Sequence, residues 1–196
     1  MFHDIPVKVR KRMQYLERLD ASHRRTRVTH FDRLRQVPPA TGKFLAMTAA
    51  SAPDGAVLEI GTSGGYSGMW LSLACRATGR ELTTFEMDDL KFTLAAETFR
   101  SAGVGDVVAQ IKGDAREHLA KYRQVGFCFL DAEKDHYQNC FDLVVPNLVK
   151  GGILVADNVL SHQETLGRMV RKTMRDRRVD TMIVPIGSGL LLCRKI

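Results

Sequence analysis

From residue 56 onward, short runs of β-branched and apolar residues alternate with stretches of helical period, and this alternation constrains the fold more than any other feature. Continuous apolar runs suit strands buried on both faces, and the helical stretches between them supply the cover. Strands are expected at 56–60, 82–85, 107–111, 127–130, 153–156, 181–185 and 190–194, with helices at 65–77, 90–102, 116–122, 136–148 and 163–177. Only Gly187-Ser188-Gly189 separates the last two strands at its tightest, too little for a crossover helix. They should therefore pair as an antiparallel hairpin. The expected fold class is α/β: a seven-stranded, largely parallel sheet with helices on both faces and a C-terminal antiparallel hairpin.

Residues 1–36 lack strand signals and are helical in period through 7–19, and Val37-Pro38-Pro39 then breaks that pattern. They read as a basic helical extension, one or two helices in front of a main domain at 37–196. Charge follows the same division. Residues 1–36 hold 10 Lys and Arg against 4 Asp and Glu, residues 37–160 hold 11 against 15, and residues 161–196 hold 8 against 3. A mildly acidic centre thus lies between two basic ends, which are either solvated helix faces or a surface for an anionic partner. With 196 residues, 44% of them hydrophobic, the chain can bury a core without staples. No apolar run approaches the ~18 residues of a membrane helix. The N-terminus shows no secretory apolar region, and Cys75, Cys128, Cys140 and Cys193 form no CxxC pair. Reduced thiols in a cytoplasmic protein are expected.

The strongest local signal is the strand that runs through Glu59 and Ile60 into Gly61-Thr62-Ser63-Gly64-Gly65-Tyr66-Ser67-Gly68. Glycines let backbone approach a ligand, and the following helix N-terminus offers free N–H donors. The next strand ends at Glu86, 25 positions after Gly61. A carboxylate there can accept from both hydroxyls of a ribose, which suits NAD and S-adenosylmethionine equally. The dinucleotide pattern G-x-G-x-x-G is absent, because Ser63 stands two after Gly61. Glu59 needs a partner inside its strand. The ammonium or sulfonium of S-adenosylmethionine is one candidate, and the amides of the loop are the other.

Two later strands end in acid: Leu130-Asp131-Ala132-Glu133-Lys134, and Ala156-Asp157-Asn158. Carboxylates at the C-terminal ends of neighbouring parallel strands converge on one crevice. Asp131, Asp157 and Asn158 make an all-oxygen donor set suited to Mg²⁺, with Mn²⁺ or Ca²⁺ as substitutes. A helix N-cap would explain either strand end alone.

With these motifs in order, the chain resembles the small S-adenosylmethionine-dependent O-methyltransferases related to the caffeoyl-CoA and catechol enzymes. The matching stretches are E-I-G-T-S-G-G-Y-S, G-D-A at 113–115, L-D-A-E-K-D-H-Y, G-G-I-L-V-A-D-N-V and P-I-G-S-G-L-L-L-C-R-K, spanning about residues 37–195. The resemblance implies a Rossmann-like methyltransferase sheet and a homodimer. It places Glu59, Gly61, Thr62 and Ser67 at the methionine end of the cofactor, Glu86 on the ribose, and Asp114 and Ala115 beside the adenine. It puts the backbone of Val37 against the cofactor, Asp131 between cofactor and metal, Asp157 and Asn158 on the metal, and Lys134 in the place of the general base. Lys134 also has a plain reading as a surface lysine paired with Glu133 or Asp135.

The segment after Asn158 is shorter than in the plant enzymes and carries Arg168, Arg171, Lys172, Arg175, Arg177 and Arg178 instead of a covering loop. The resemblance implies a small catechol-like or otherwise hydroxylated acceptor, although this segment departs from the plant pattern that covers it. The alternative is a hydroxylated tRNA uridine, for which the two basic ends would supply phosphate contacts. A non-catalytic cofactor-binding protein is the third reading, and the retained metal set argues against it. His118 and His162 read as surface residues. His136 and Tyr137 read as packing or capping groups, Trp70 as core or adenine border, and Met47, Met69 and Met87 as core fillers.

Overall fold

The computed structural model describes residues 1–26 and 33–196; the part of the basic extension at 27–32 lies outside them. Seven strands form one sheet: β1 (Ala56–Ile60), β2 (Leu82–Glu86), β3 (Val108–Lys112), β4 (Val125–Leu130), β5 (Leu148–Ala156), β6 (Val179–Val184) and β7 (Leu190–Lys195), in the order β3-β2-β1-β4-β5-β7-β6. The five strands from β3 to β5 are parallel, and β7 runs antiparallel to both β5 and β6. The terminal hairpin forms as the short Gly-Ser-Gly connection requires. β1 sits between β2 and β4, so the strand order reverses there and a crevice opens at the strands' C-terminal ends.

The helices are α1 (Val7–Arg25), α2 (Pro39–Ser51), α3 (Tyr66–Thr78), α4 (Asp89–Ala102), α5 (Ala115–His118), α6 (Tyr137–Val144) and α7 (Gln163–Thr173). Alternate strand residues divide between two cores, as the period of two dictates. Phe127, Phe129 and Val155 face α1, α2, α3 and α4, whereas Cys128, Leu130, Leu154 and Ala156 face α5, α6 and α7. The four cysteines are buried free thiols. Cys75 belongs to the first core, and Cys128, Cys140 and Cys193 belong to the second.

Several expectations are corrected. Pro38-Pro39 starts a helix rather than only ending one: Pro39 is the first residue of α2, where its missing N–H leaves no helical bond unmade. The helix expected at 136–148 is only α6, flanked by 3-10 turns at Lys134–His136 and Val145–Asn147. Leu148 already begins β5, four residues after α6 ends. The helix expected at 163–177 stops at Thr173, leaving Arg175, Arg177 and Arg178 beyond it. Met69 fills the core, but Met47 and Met87 are 58% and 56% exposed and fill nothing.

The two basic ends also part company. α1 packs on the face with α3 and α4, and α7 packs on the opposite face with α6. Among the described residues, no single face of the sheet carries both helices. Among the described residues, no helix is long and apolar enough to cross a membrane.

Candidate active site

At the C-terminal ends of β1, β2, β4 and β5 lies a cavity of about 620 Å³. Three non-glycine residues have positive φ among those described: Arg35 (48°), Ser63 (48°) and Asn158 (66°). All three line this cavity. Backbone of this kind costs on the order of 1–3 kcal/mol per residue and persists where the surroundings hold it, typically at working sites. A second depression of about 570 Å³ lies on the basic surface of α7, lined by Arg168, Arg171, Lys172, Arg175 and Asp176. It meets none of the strand ends, whereas the residues expected to carry chemistry line the first.

The β1–β2 half of the cavity is built from satisfied polar groups. Gly61 (φ 98°) packs so closely on the strand end of β4 that a Cβ there would overlap the carbonyl oxygen of Asp131. Glu86 accepts from the backbone N–H of Ser63 at 2.7 Å through Oε2, and from those of Met87 and Asp88 at 3.0 Å through Oε1. Thr62 lies within 2.6 Å of the Thr84 hydroxyl, and Thr84 donates to Glu59 at 2.6 Å. Glu59 itself is fully buried and lies behind the glycine loop rather than in the cavity wall. Burial pushes its carboxyl up to about 7, against the opposing pull of hydrogen bonds from Ser67 and Thr84. Its Oε1 has no partner. Asp114 caps α5 and is clasped by Arg116, which holds its carboxyl below the usual range. Ala115, Phe85 and Cys140 complete this end of the cavity.

The β4–β5 half is different. Asp131 and Asp157 leave adjacent strands, and the Asp157 N–H donates to Leu130 O at 3.0 Å. Asp157 is 3% exposed. Burial first, and then the charge of Asp131, push its carboxyl well above the carboxylate range. Its Oδ1 accepts the Asn158 N–H at 2.7 Å. The Lys134 ammonium reaches Asp131 Oδ1 at 3.1 Å, Ala132 O at 3.0 Å and the Tyr137 hydroxyl at 3.0 Å. The Tyr137 hydroxyl lies 3.4 Å from the same Asp131 oxygen, and burial holds its pKa well above the usual value. Val159 N–H bonds Gly189 O, and Leu160 and Ser161 N–H bond Ser188 O, so the hairpin turn braces the Asp157–Asn158 loop from behind.

A family model described as "O-methyltransferase" matches residues 10–196. The chain belongs to the O-methyltransferase family. A Mycobacterium tuberculosis protein named as an O-methyltransferase is 30% identical over 175 residues, covering 79% of this chain and 75% of its own. A caffeoyl-CoA O-methyltransferase of Populus kitakamiensis is 29% identical over 185 residues, covering 82% and 78%. Among solved structures, the SAH-bound methyltransferase PaMTH1 of Podospora anserina superposes with a TM-score of 0.80 at 24% identity, covering 98% of this chain and 89% of that one. The O-methyltransferase TomG of Streptomyces achromogenes, solved with SAM, gives a TM-score of 0.76 at 25% identity, covering 97% and 90%.

In this O-methyltransferase, Val37, Gly61, Thr62, Ser67, Glu86, Asp114, Ala115, Asp131, Lys134, Asp157 and Asn158 all border one cavity. Of the expected set only Glu59 stands behind it. Lys134 does not pair with Glu133 or Asp135 as its plain reading supposed; Asp131, Ala132 and Tyr137 hold it. Trp70 packs among Phe2 and Tyr66 and does not reach the cavity. His162 does line it, together with Ser161 and Ser188. Sequence reasoning also passed over Tyr137 as a ligand of Lys134, although three-residue spacing in the stretch after β4 was a signal for it. It passed over the N-terminal contribution as well. Tyr66 donates to Glu17 of α1 at 2.6 Å, and Ser63 Oγ donates to Leu34 O at 2.7 Å.

Proposed function

We propose that this protein is an S-adenosylmethionine- and divalent-cation-dependent O-methyltransferase that methylates a hydroxyl of a small catechol-like or phenolic acceptor, as a cytoplasmic homodimer. The observation that carries the reading is the meeting of Asp131, Lys134, Asp157 and Asn158 on the cavity wall beside the glycine loop and Glu86. The buried, reduced state of all four cysteines suits a cytoplasmic enzyme.

The residues fit both groups. Glu86 has its carboxylate fixed by three backbone donors, so its remaining lone pairs are preset for ribose hydroxyls. Burial first, and then the charge of Asp131, raise the Asp157 carboxyl, and a cation held by these residues would relieve both. Among the described residues, no group of three or more His, Cys, Asp or Glu gathers for a metal. The donor set is two carboxylates and one amide, and such a set suits a hard cation that keeps waters or substrate oxygens.

When bound, the sulfonium supplies the methyl group and the cation lowers the pKa of the acceptor hydroxyl. The chain's own residues do the rest. Asp131, through its backbone contact with Gly61, fixes the distance between the two halves. Lys134 is the residue that would take the acceptor proton at Nζ, its side chain 13% exposed and 3.1 Å from Asp131. Asp131, Ala132 O and Tyr137 then hold the ammonium that results. Alignment of the acceptor with the methyl group contributes roughly 7–11 kcal/mol by proximity.

The test is a methyl-transfer screen with labelled cofactor, comparing catechols, acyl-CoA esters and bulk tRNA with and without Mg²⁺. Asp157→Ala and EDTA should each abolish transfer to the small acceptor, with fold and cofactor affinity retained, and Mg²⁺ or Mn²⁺ should restore the chelated parent. A folded Asp157→Ala variant turning over at the parental rate in EDTA overturns the metal. Transfer to tRNA alone overturns the acceptor.

A further inference from the structure

Arg35 combines two features. It is a long, non-glycine side chain held at φ 48°, and its guanidinium crosses the cavity mouth to Glu133, 98 residues away, with Nη2 to Oε1 at 2.7 Å. Its neighbours are tied to the opposite wall. Leu34 is 4% exposed, its carbonyl accepts from Ser63, and its side chain lies against Gly64. Val37 is equally buried. On the far side, Glu133 stands between Ala132 and Lys134, in the turn whose carbonyl and lysine form the catalytic cluster. One short segment therefore touches the glycine loop with its backbone and the catalytic turn with its charge.

We propose that Arg35 is a positioning residue: by pairing with Glu133 it holds residues 34–37 across the glycine loop, retains the cofactor beneath them and releases it when the pair parts. This rests on the cofactor reading given above. The strained backbone is what makes the pair a catch rather than an ornament. The buried Leu34 and Val37 and the pair hold that conformation together, so breaking the pair removes one of its restraints. The pair is also weak enough to open, since its side chains are 35% and 59% exposed and exposed ion pairs are modest and salt-sensitive.

The experiment follows release of S-adenosylhomocysteine from the full chain by stopped-flow chase. Release from Arg35→Ala and from Glu133→Gln should be about three- to tenfold faster than from the parent. Raising NaCl from low to high should accelerate release in the parent and leave both variants nearly unchanged. Arg35→Lys should recover part of the effect, and the exchanged pair Arg35→Glu with Glu133→Arg should recover more than either single reversal. A purely structural role would lower thermal stability without the salt dependence or the recovery on exchange. A parent that binds S-adenosylhomocysteine, with Arg35→Ala releasing it at the parental rate, overturns the catch alone. A parent that does not bind it overturns the cofactor reading, and the catch with it.

Discussion

The two halves of the cavity are built on opposite terms. On the β1–β2 side, polar groups are satisfied before any ligand arrives: Glu86 by three backbone N–H groups, Asp114 by Arg116, Thr62 by Thr84. On the β4–β5 side, Asp157 is buried beside another carboxylate and Asn158 sits in the left-handed region. A binding half gains from groups already fixed in place, because ordering costs at the moment of binding are then small. The half proposed to react would gain from a buried carboxylate that its own neighbours offset only in part. Gly61 is where the halves touch, and its lack of a Cβ is what lets them touch.

That contrast can be sharpened first on the reacting side. Lys134→Ala should lower kcat by roughly 10²–10⁴, the usual range for a positioned acid or base. Cofactor affinity by calorimetry should stay near parental, since Lys134 binds Asp131 and Tyr137 rather than the glycine loop. On the binding side, Glu86→Ala should weaken cofactor affinity by about 1–3 kcal/mol, the range for leaving buried polar groups unpaired. It should also lower the ligand-free melting temperature, because the Ser63 amide loses its acceptor. Unchanged affinity would remove Glu86 from the ribose.

Glu59 breaks the contrast, being on the binding side yet unsatisfied at Oε1. Its carboxyl is raised from 4.5 to about 7 in the folded protein, chiefly by burial. The folded state therefore keeps the proton while the unfolded chain loses it, and stability falls as pH rises from about 4.5 to about 7. Glu59→Gln should remove that dependence. Relative to the parent it should gain about 1–2 kcal/mol at pH 8 compared with pH 5, less than the full shift implies because an unpartnered polar atom remains. Denaturant melts of the ligand-free protein at the two pH values decide it, and a parallel pH response in both proteins would refute it.

The sheet was legible because its strands are apolar runs of the right length between glycine-rich turns, and the hairpin because Gly187–Gly189 leaves no room for anything else. α2 was not legible, since Pro39 reads as a breaker unless one knows that a helix begins there. The apolar stretch 143–148 suits a helix and a strand equally, and Pro146 with Gly151-Gly152 settled it only in three dimensions. Asp131, Asp157 and Asn158 could be read as neighbours because strand ends converge. Arg35 and Glu133 could not, because nothing local joins residues 98 apart. The displacement of Glu59 behind the loop was equally hidden, since strand alternation gives the face of a residue and not its depth.

The division of the core into two faces also divides the thiols. Burial raises Cys75 and Cys140 to about 11 and Cys193 to about 12, and Cys128 well above its ordinary value. At neutral pH the folded protein thus offers almost no thiolate, the form that attacks alkylating reagents and disulfides. Cys75 lies under α1 to α4, and the other three lie under α5 to α7. Covalent capture of Cys75 therefore marks the breathing of one face, and capture of Cys128 or Cys193 marks the breathing of the other, so the chain carries a separate clock on each side of its sheet.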